Sequence, residues 1–246
     1  MGKKQSVYIY GIASKELQAV ECQGIGNPPQ PVRVEPLGSV AVILTYLTPD
    51  FEEVGIEDAV QHVRVLEKAM ENATVLPIRF GTVADSLAEF KTMVISNQFA
   101  IQKELHRLKG KYEVGIKGYW RKETILEELR ASKEYTALVE EAQQNSRAAM
   151  ELGQMVEAAV NEWRVRLEEQ VHPLLARLAT ESVISDATSV EMVYSSSFLV
   201  TPEQELRLKE KLIESAEKTL NNRMEFHFTT KLPPYNFIKL RLKWGS

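Results

Sequence analysis

The sequence predicts an α+β protein of two domains, the second a modified ferredoxin-like (βαββαβ) fold with an extra edge strand. The chain has 246 residues, which fits two domains of about 100–150 residues better than one. Apolar residues alternate in some segments and recur every three or four positions in others, so strands and helices are mixed. Between residues 111 and 230 these segments follow the ferredoxin-like order. We therefore predict one domain over residues 1–109 and another over residues 110–246.

The first domain begins with short strands. Residues 6–12 form a compact apolar strand, and Gly11 is expected to close it. Residues 32–35 and 40–46 are β-branched runs separated by Pro-Leu-Gly-Ser at positions 36–39. Two such runs with a turn sequence between them predict a hairpin.

The next segments of the first domain show helical periodicity. Five apolar residues recur every three or four positions and predict one face of an amphipathic helix: Ile56, Val60, Val63, Leu66 and Met70. Residues 74–76 resemble a short buried strand that Pro77 stops. Ser86 and Glu89 have the spacing of a capping box, in which each side chain satisfies a backbone amide of the other residue. They predict a helix from this point to about residue 108.

The second domain starts with an alternating strand over residues 112–120 and a helix from Lys122. Apolar residues then recur at helical spacing from residue 138 to residue 178, which predicts one long helix. Pro173 lacks an amide donor, so we expect a kink near His172. Gly153 is a second weak point in this helix.

Two more strands are predicted over residues 182–185 and 190–200. Thr201, Pro202 and Gln204 form a strong helix start, with a cap, a proline in the first turn and a capping box. That helix runs to about residue 220, and residues 224–228 alternate as another strand.

The tail after the paired prolines predicts the extra edge strand, over residues 236–244. Four apolar residues point to one side and three basic residues to the other: Ile238, Leu240, Leu242 and Trp244, against Lys239, Arg241 and Lys243. A charged outer face is typical of a sheet edge that is covered on one side only.

Composition and motifs exclude several classes of function. Cys22 is the only cysteine, so an internal disulfide or a thiolate metal cluster is excluded. The four histidines show no metal-ligand spacing, and no nucleophile elbow or phosphate loop occurs. The net charge of −4 gives no general attraction for nucleic acid or an anionic membrane. No apolar stretch is long enough to span a bilayer. We predict no catalytic, cofactor-binding or metal-binding residues.

Two segments suggest more than local structure. Residues 76–83 lead from a buried strand through Arg79 and a glycine turn, which is either a structural corner or part of a binding site. The tail carries Pro233, Pro234, Tyr235 and Phe237. It either packs against its own protein or offers an unpaired strand edge to which a strand of a partner can bind. These four residues and Arg79 are the candidates for partner binding.

Four motifs together resemble the GvpF/GvpL family of gas vesicle proteins, most closely its cyanobacterial members. They are VYIYGI at residues 7–12, VLPIRFGTV at residues 75–83, EVGIK at residues 113–117 and PPYNF at residues 233–237. The resemblance spans almost the whole chain in the expected order. Family members often carry Gly-Pro-Trp before the paired prolines, whereas this chain has Thr-Lys-Leu at positions 230–232.

The resemblance implies a non-enzymatic protein of gas vesicle assembly with two α+β domains, the second ferredoxin-like. It implies an accessory or minor structural role without a cofactor. Its implied partners are the small hydrophobic shell protein GvpA and other Gvp accessory proteins, with no nucleic acid or membrane partner. The implied location is the gas vesicle inside the cell, and the gas-facing side of the shell is one position compatible with this role.

Two other classes of function remain open on the residues alone. A small-ligand enzyme would need a concave pocket with a perturbed titratable group near Arg79 or His227. An RNA-binding module would need a contiguous basic patch on the open face of the ferredoxin-like sheet.

Overall fold

The computed structural model describes residues 5–48, 54–189, 191–218, 220 and 223–242. Its strands are β1 (Val7–Ser14), β2 (Arg33–Leu37), β3 (Val40–Tyr46), β4 (Val75–Pro77), β5 (Val83–Ala84), β6 (Tyr112–Trp120), β7 (Glu181–Ile184), β8 (Met192–Val200) and β9 (Met224–Leu232). Its α-helices are α1 (Ile56–Met70), α2 (Leu87–Ser96), α3 (Gln98–Leu108), α4 (Lys122–Arg130), α5 (Lys133–Ala142), α6 (Ser146–Arg166), α7 (His172–Ala176) and α8 (Pro202–Lys218). The chain divides into two compact units. The described residues of Met1–Glu113 and Lys231–Ser246 form the first, and those of Val114–Thr230 form the second.

The first unit is organised around β1. Its sheet has the order β2-β3-β1-β4, and β5 also pairs with β1. The predicted hairpin is confirmed, because β2 and β3 pair antiparallel in register from Arg33 opposite Leu44 to Leu37 opposite Val40. β1 is buried over nearly its whole length, so it forms the centre of an apolar core that also takes side chains from α1.

Gly11 does not close the first strand as expected. β1 continues to Ser14, with an irregularity in its pairing with β3 between Ile9 and Gly11. A Cβ atom at Gly11 would lie 2.8 Å from the backbone oxygen of Leu76 and 3.0 Å from Leu66 Cδ2. The glycine therefore permits the close approach of β4 and α1 to the central strand.

The predicted helix over residues 56–70 is confirmed, but its buried face differs from the expected one. The buried residues are His62, Val65, Leu66 and Ala69, whereas Ile56 and Val60 are 89% and 61% exposed. The buried set follows the spacing i, i+3, i+4, i+7 without interruption, and a histidine occupies its first position. That histidine is tolerated in the core because both ring nitrogens are hydrogen-bonded.

The predicted helix over residues 86–108 is two helices, α2 and α3, with a break at Asn97. The Asn97 side chain donates from Nδ2 to the backbone oxygen of Met93, at 2.8 Å. Asparagine competes with helix geometry through such bonds to nearby backbone groups. The predicted cap is present, because Ser86 Oγ accepts a hydrogen bond from the Glu89 amide at 3.3 Å.

We expect Ser86→Ala to lower the free energy of unfolding by about 1 kcal/mol, because α2 loses the acceptor for one of its first amides. Urea denaturation followed by circular dichroism measures the change. Ser96→Ala, at an exposed position in the last turn of α2, is the matched control, with an expected change within about 0.5 kcal/mol. Equal midpoints for the two variants would show that the cap contributes nothing.

The second unit confirms the predicted βαββαβ order. Its four-stranded sheet has the order β7-β8-β6-β9. β8 is buried along nearly its whole length and forms the centre of the core. The predicted start of α8 is confirmed in both directions: Gln204 Oε1 accepts from the Thr201 amide at 2.9 Å, and Thr201 Oγ1 accepts from the Gln204 amide at 3.3 Å.

The predicted long helix over residues 138–178 is interrupted twice. It breaks between α5 and α6, where Asn145 Oδ1 caps the new helix by accepting from the Arg147 amide at 2.9 Å. A π-helical turn over Leu167–Val171 then precedes Pro173. Pro173 cannot donate to the preceding turn, and the widened turn lies just before it. Gly153 lies inside α6 without interrupting it.

The π-helical turn places His172 against the sheet of the second unit. His172 Nδ1 lies 2.8 Å from the Tyr194 hydroxyl and 3.2 Å from Ser196 Oγ, and Nε2 lies 3.3 Å from Ser182 Oγ. Burial lowers the pKa of this histidine. His172 is therefore a neutral link between helix and sheet.

The predicted edge strand over residues 236–244 is wrong across the part that the structure describes. Tyr235–Phe237 form a single turn of 3₁₀-helix, and residues 238–242 carry no strand pairing. Lys243 and Trp244 lie outside the described residues. The tail belongs to the first unit, whereas the sequence predicted it as part of the second domain. Phe237 is 2% exposed, and its backbone oxygen accepts a hydrogen bond from Arg107 of α3 in the first unit.

Candidate functional site

The two segments that suggested more than local structure meet at one groove of the first unit. The groove has a volume of about 400 Å³. Its walls come from α1, from the chain after β4 and from the tail: Ala59, His62, Val63, Pro77, Arg79, Phe80, Tyr235 and Ile238. Arg79 and Tyr235 are 156 positions apart in number, and only the tertiary fold brings them to the same wall.

A tight turn after β4 directs Arg79 outward. The Ile78 amide donates to the backbone oxygen of Tyr10 at 2.9 Å, which holds the segment against β1. Gly81 has a φ of +84°, a backbone conformation that glycine adopts without strain. Thr82 donates from its hydroxyl to the Arg79 oxygen at 2.7 Å, closing the turn. The Arg79 side chain is exposed, and no hydrogen bond or ion pair to its guanidinium occurs among the described residues.

A chain of hydrogen bonds joins β1, α1 and the tail beneath the groove. His62 Nδ1 lies 2.8 Å from the Tyr8 hydroxyl, and His62 Nε2 lies 2.7 Å from the Tyr235 hydroxyl. The Gly81 amide donates to the Tyr8 oxygen at 3.1 Å. A neutral imidazole has one donor nitrogen and one acceptor nitrogen, so His62 donates to one of these two hydroxyls and accepts from the other.

His62 is a neutral structural link. It is fully buried, and that burial lowers its pKa to about 4. Burial also raises the pKa of Tyr8 and of Tyr235, so both hydroxyls keep their protons at neutral pH. Because both ring nitrogens bond to tyrosines, neither is free to accept a proton from a molecule in the groove.

The tail is fixed beside this chain by Glu113, a buried carboxylate at the start of β6. Glu113 Oε2 accepts from the Asn236 amide at 3.1 Å, and Oε1 accepts from Asn236 Nδ2 at 2.6 Å. Hydrogen bonds to a carboxylate are stronger than those between neutral groups. Asn236 therefore sets the position of its neighbour Tyr235 at the groove.

A second attachment point lies on α3. Arg107 donates to the backbone oxygen of Phe237, and Glu104 Oε1 accepts from the Lys239 amide at 2.8 Å. Arg107 and Glu104 also bond each other at 2.7 Å, and this bond is the main cause of the lowered pKa of Glu104. The tail is thus held on both sides of the buried Phe237 ring.

The structure separates the five partner-binding candidates into two groups. Arg79 is exposed and Tyr235 is 38% exposed, and both line the groove. Pro233, Pro234 and Phe237 are buried. Of the two readings of the tail, the structure shows a segment that is bound to its own protein.

Apolar surface continues from the groove along α1. Ala59 and Val63 line the groove, and the exposed Ile56 and Val60 each lie three positions before one of them on the same helix. Residues at this spacing are neighbours on a helix surface. The groove and the exposed residues form one continuous surface, which we call the apolar groove face. Contiguous exposed apolar surface of this kind marks interaction sites.

Neither a metal centre nor a membrane span is found in the part of the chain that the structure describes. No group of three or more His, Cys, Asp or Glu side chains is placed there to hold an ion. No described helix is both long and apolar enough to cross a bilayer.

Known structures share this fold. The crystal structure of the gas vesicle protein GvpF from Anabaena sp. PCC7120 matches 97% of this chain and 100% of its own, with a TM-score of 0.76 and 21% identity. The crystal structure of GvpF from Microcystis aeruginosa matches 96% of this chain and 99% of its own, with a TM-score of 0.73 and 22% identity.

Sequence relatives extend over the same length. Gas vesicle protein F of Dolichospermum flosaquae is 24% identical over 242 residues, covering 95% of this chain and 98% of the relative. Gas vesicle protein F of Microcystis aeruginosa is 26% identical over the same coverage. The family described as gas vesicle synthesis protein GvpL/GvpF matches residues 6–239. The protein therefore belongs to the GvpL/GvpF family, whose members serve gas vesicle assembly as accessory or structural proteins and not as enzymes.

Proposed function

We propose that this protein acts in gas vesicle assembly by binding the small hydrophobic shell protein GvpA at the apolar groove face. The observation that supports this is the continuity of the groove with the exposed side chains of Ile56 and Val60. Burying apolar surface stabilises a complex by about 25 cal/mol for each Å² removed from water. A hydrophobic shell subunit would aggregate before assembly, and such a surface would hold it in solution.

Arg79 and Tyr235 give this surface its polar contacts. The exposed guanidinium offers donors to a carboxylate or to backbone oxygens of the partner. Tyr235 adds an aromatic edge, and its hydroxyl is already oriented by His62. Pro233, Pro234 and Phe237 contribute indirectly, because their burial fixes the position of Tyr235.

The same surface suits a place at the gas vesicle within the cell, with the apolar groove face toward the gas-facing side of the shell. Removing apolar side chains from water carries no free-energy cost, so such a surface is compatible with the gas-facing side. Other Gvp accessory proteins are further candidate partners for the exposed side chains. Immunogold labelling of intact and collapsed vesicles tests the location. Signal only after collapse is the expected result, and labelling of intact vesicles would contradict a gas-facing position.

Neither alternative function gains support from the groove or the sheet. The groove does hold a titratable group with a shifted pKa, His62, but both of its ring nitrogens are engaged. The exposed residues of β9 include Glu225 and His227, which bond each other, so this strand does not supply the basic patch that RNA binding would need.

We expect Val60→Asp to reduce co-purification of GvpA at least tenfold, because it places a charge within the apolar contact. The matched control is Leu206→Asp on α8. Leu206 is 66% exposed, against 61% for Val60, so both variants add a carboxylate at a similarly exposed helix position. Circular dichroism establishes that each variant is folded. Equal yields of GvpA from the two variants would contradict binding at this surface.

A further inference from the structure

The outer edge of the second sheet is long, and no strand of the described residues pairs with it. β9 is the terminal strand in the order β7-β8-β6-β9, it has nine residues, and most of them are exposed. The other three edges are blunted in ways that natural sheets commonly use: β2 carries Pro36, β4 has three residues, and β7 has four. A nine-residue edge without proline presents a row of backbone donors and acceptors to another strand.

We propose that β9 pairs antiparallel with β9 of a second copy of this chain, joining the two four-stranded sheets across a twofold axis at Phe228. The sequence of the strand is self-complementary about that residue. The opposed pairs are Met224 with Leu232, Glu225 with Lys231, Phe226 with Thr230, His227 with Thr229, and Phe228 with itself. Each unlike pair occurs twice in an isologous interface.

Charge favours this register over its neighbours. Glu225 and Lys231 are oppositely charged and exposed, and facing charges of opposite sign stabilise a strand pair. Shifting the second copy by two residues in one direction would place Lys231 opposite Arg223. Sliding it the other way would place Pro233 opposite Glu225, where proline lacks a backbone donor.

The side chains that would make these contacts are exposed at the edge. The Glu225 and His227 side chains are 64% and 59% exposed, and the bond between them is at the surface. No ion pair engages Lys231 within the described part of the chain. Lys231 has a φ of +56° at the end of the strand, and its long flexible stem reaches the opposing carboxylate without regular strand geometry.

The faces of the two sheets also match in this register. Phe228 lies beneath Lys209 of α8, with 5.9 Å between the lysine nitrogen and the ring centroid, so it faces the helix-covered side. Pairing even-numbered with even-numbered positions places the covered faces of both copies on the same side of the joined sheet. The aromatic residues at the axis then meet across the strands, which stabilises antiparallel pairs.

Charge exchange on the full chain tests the pairing, with the dimer dissociation constant measured by sedimentation equilibrium over a concentration series. The wild type is expected to dimerise. Glu225→Lys and Lys231→Glu should each weaken the dimer about tenfold, because each replaces two attractive pairs with two repulsive ones. The double exchange E225K/K231E should return the dissociation constant to within about threefold of the wild type.

Rescue distinguishes pairing between copies from an effect within one chain. The two residues are six positions apart on one strand, about 20 Å, so they cannot bond each other in the same copy. A wild type that stays monomeric, including one that instead binds a strand of another protein at this edge, would overturn the proposal. So would single variants that dimerise like the wild type, or a double exchange that fails to restore the dimer.

Discussion

Replacing Phe237 with alanine should lower the free energy of unfolding of the first unit by about 3–5 kcal/mol. The ring is 2% exposed, so its removal leaves a cavity. The Arg107 bond to the Phe237 oxygen and the Glu104 bond to the Lys239 amide both depend on the tail staying in place. Chemical denaturation of the full chain, followed by fluorescence and circular dichroism, measures the change.

Phe99→Ala provides the matched control for this variant. It removes the same ring from an 83% exposed position on α3 of the same unit, so we expect a change within about 0.5 kcal/mol. Similar losses from the two variants would show that the tail does not complete the core. Limited proteolysis gives a second measurement, because a detached tail in Phe237→Ala should be cleaved faster than in Phe99→Ala.

Acidification should destabilise the first unit by roughly 3 kcal/mol, most of it lost between pH 6.5 and about pH 4, because His62 must take up a proton that its site disfavours. An unfolded histidine has a pKa of 6.5, whereas burial lowers that of His62 to about 4. Within this window the unfolded state binds more protons, so the free energy of unfolding falls as the pH falls. Urea denaturation at a series of pH values measures the slope.

His62→Gln should flatten that slope even if it is less stable at neutral pH, because glutamine does not titrate. The control is His106→Gln, which changes an exposed histidine on α3 and leaves His62 in place. If His62→Gln fails to fold, the pH dependence of the His62 ring resonances in the wild type reports the same protonation. A slope that survives in His62→Gln, or a ring that titrates near pH 6.5, would contradict the prediction.

Local signals in the sequence predicted most elements of the fold. The hairpin of β2 and β3, the caps at Ser86 and Thr201, and the βαββαβ order of the second unit all depend on residues a few positions apart. The errors arose where contacts between residues far apart in the sequence determine the local structure. Alternation in residues 236–244 predicted a strand, but hydrogen bonds from Arg107 to the Phe237 oxygen and from the Lys239 amide to Glu104 hold this segment in another conformation.

The candidate site was predictable only in pieces. Arg79 and Tyr235 could each be recognised from their motifs, but their convergence on one groove requires the tertiary fold. His62 was missed as a core residue, although it begins the spacing that continues through Val65, Leu66 and Ala69. The prediction assigned only apolar residues to the buried face of this helix, so it left His62 out. The two tyrosines that make its burial possible come from opposite ends of the chain.

The discontinuous first unit has a consequence for synthesis on the ribosome. Residues 1–113 emerge early, but they lack the ring of Phe237 and the hydroxyl of Tyr235 until the whole of residues 114–230 has been translated. During that interval the nascent first unit exposes apolar surface and an unsatisfied His62 nitrogen to chaperones and proteases. A message that stops before codon 237 would yield a chain whose first unit lacks the Phe237 ring.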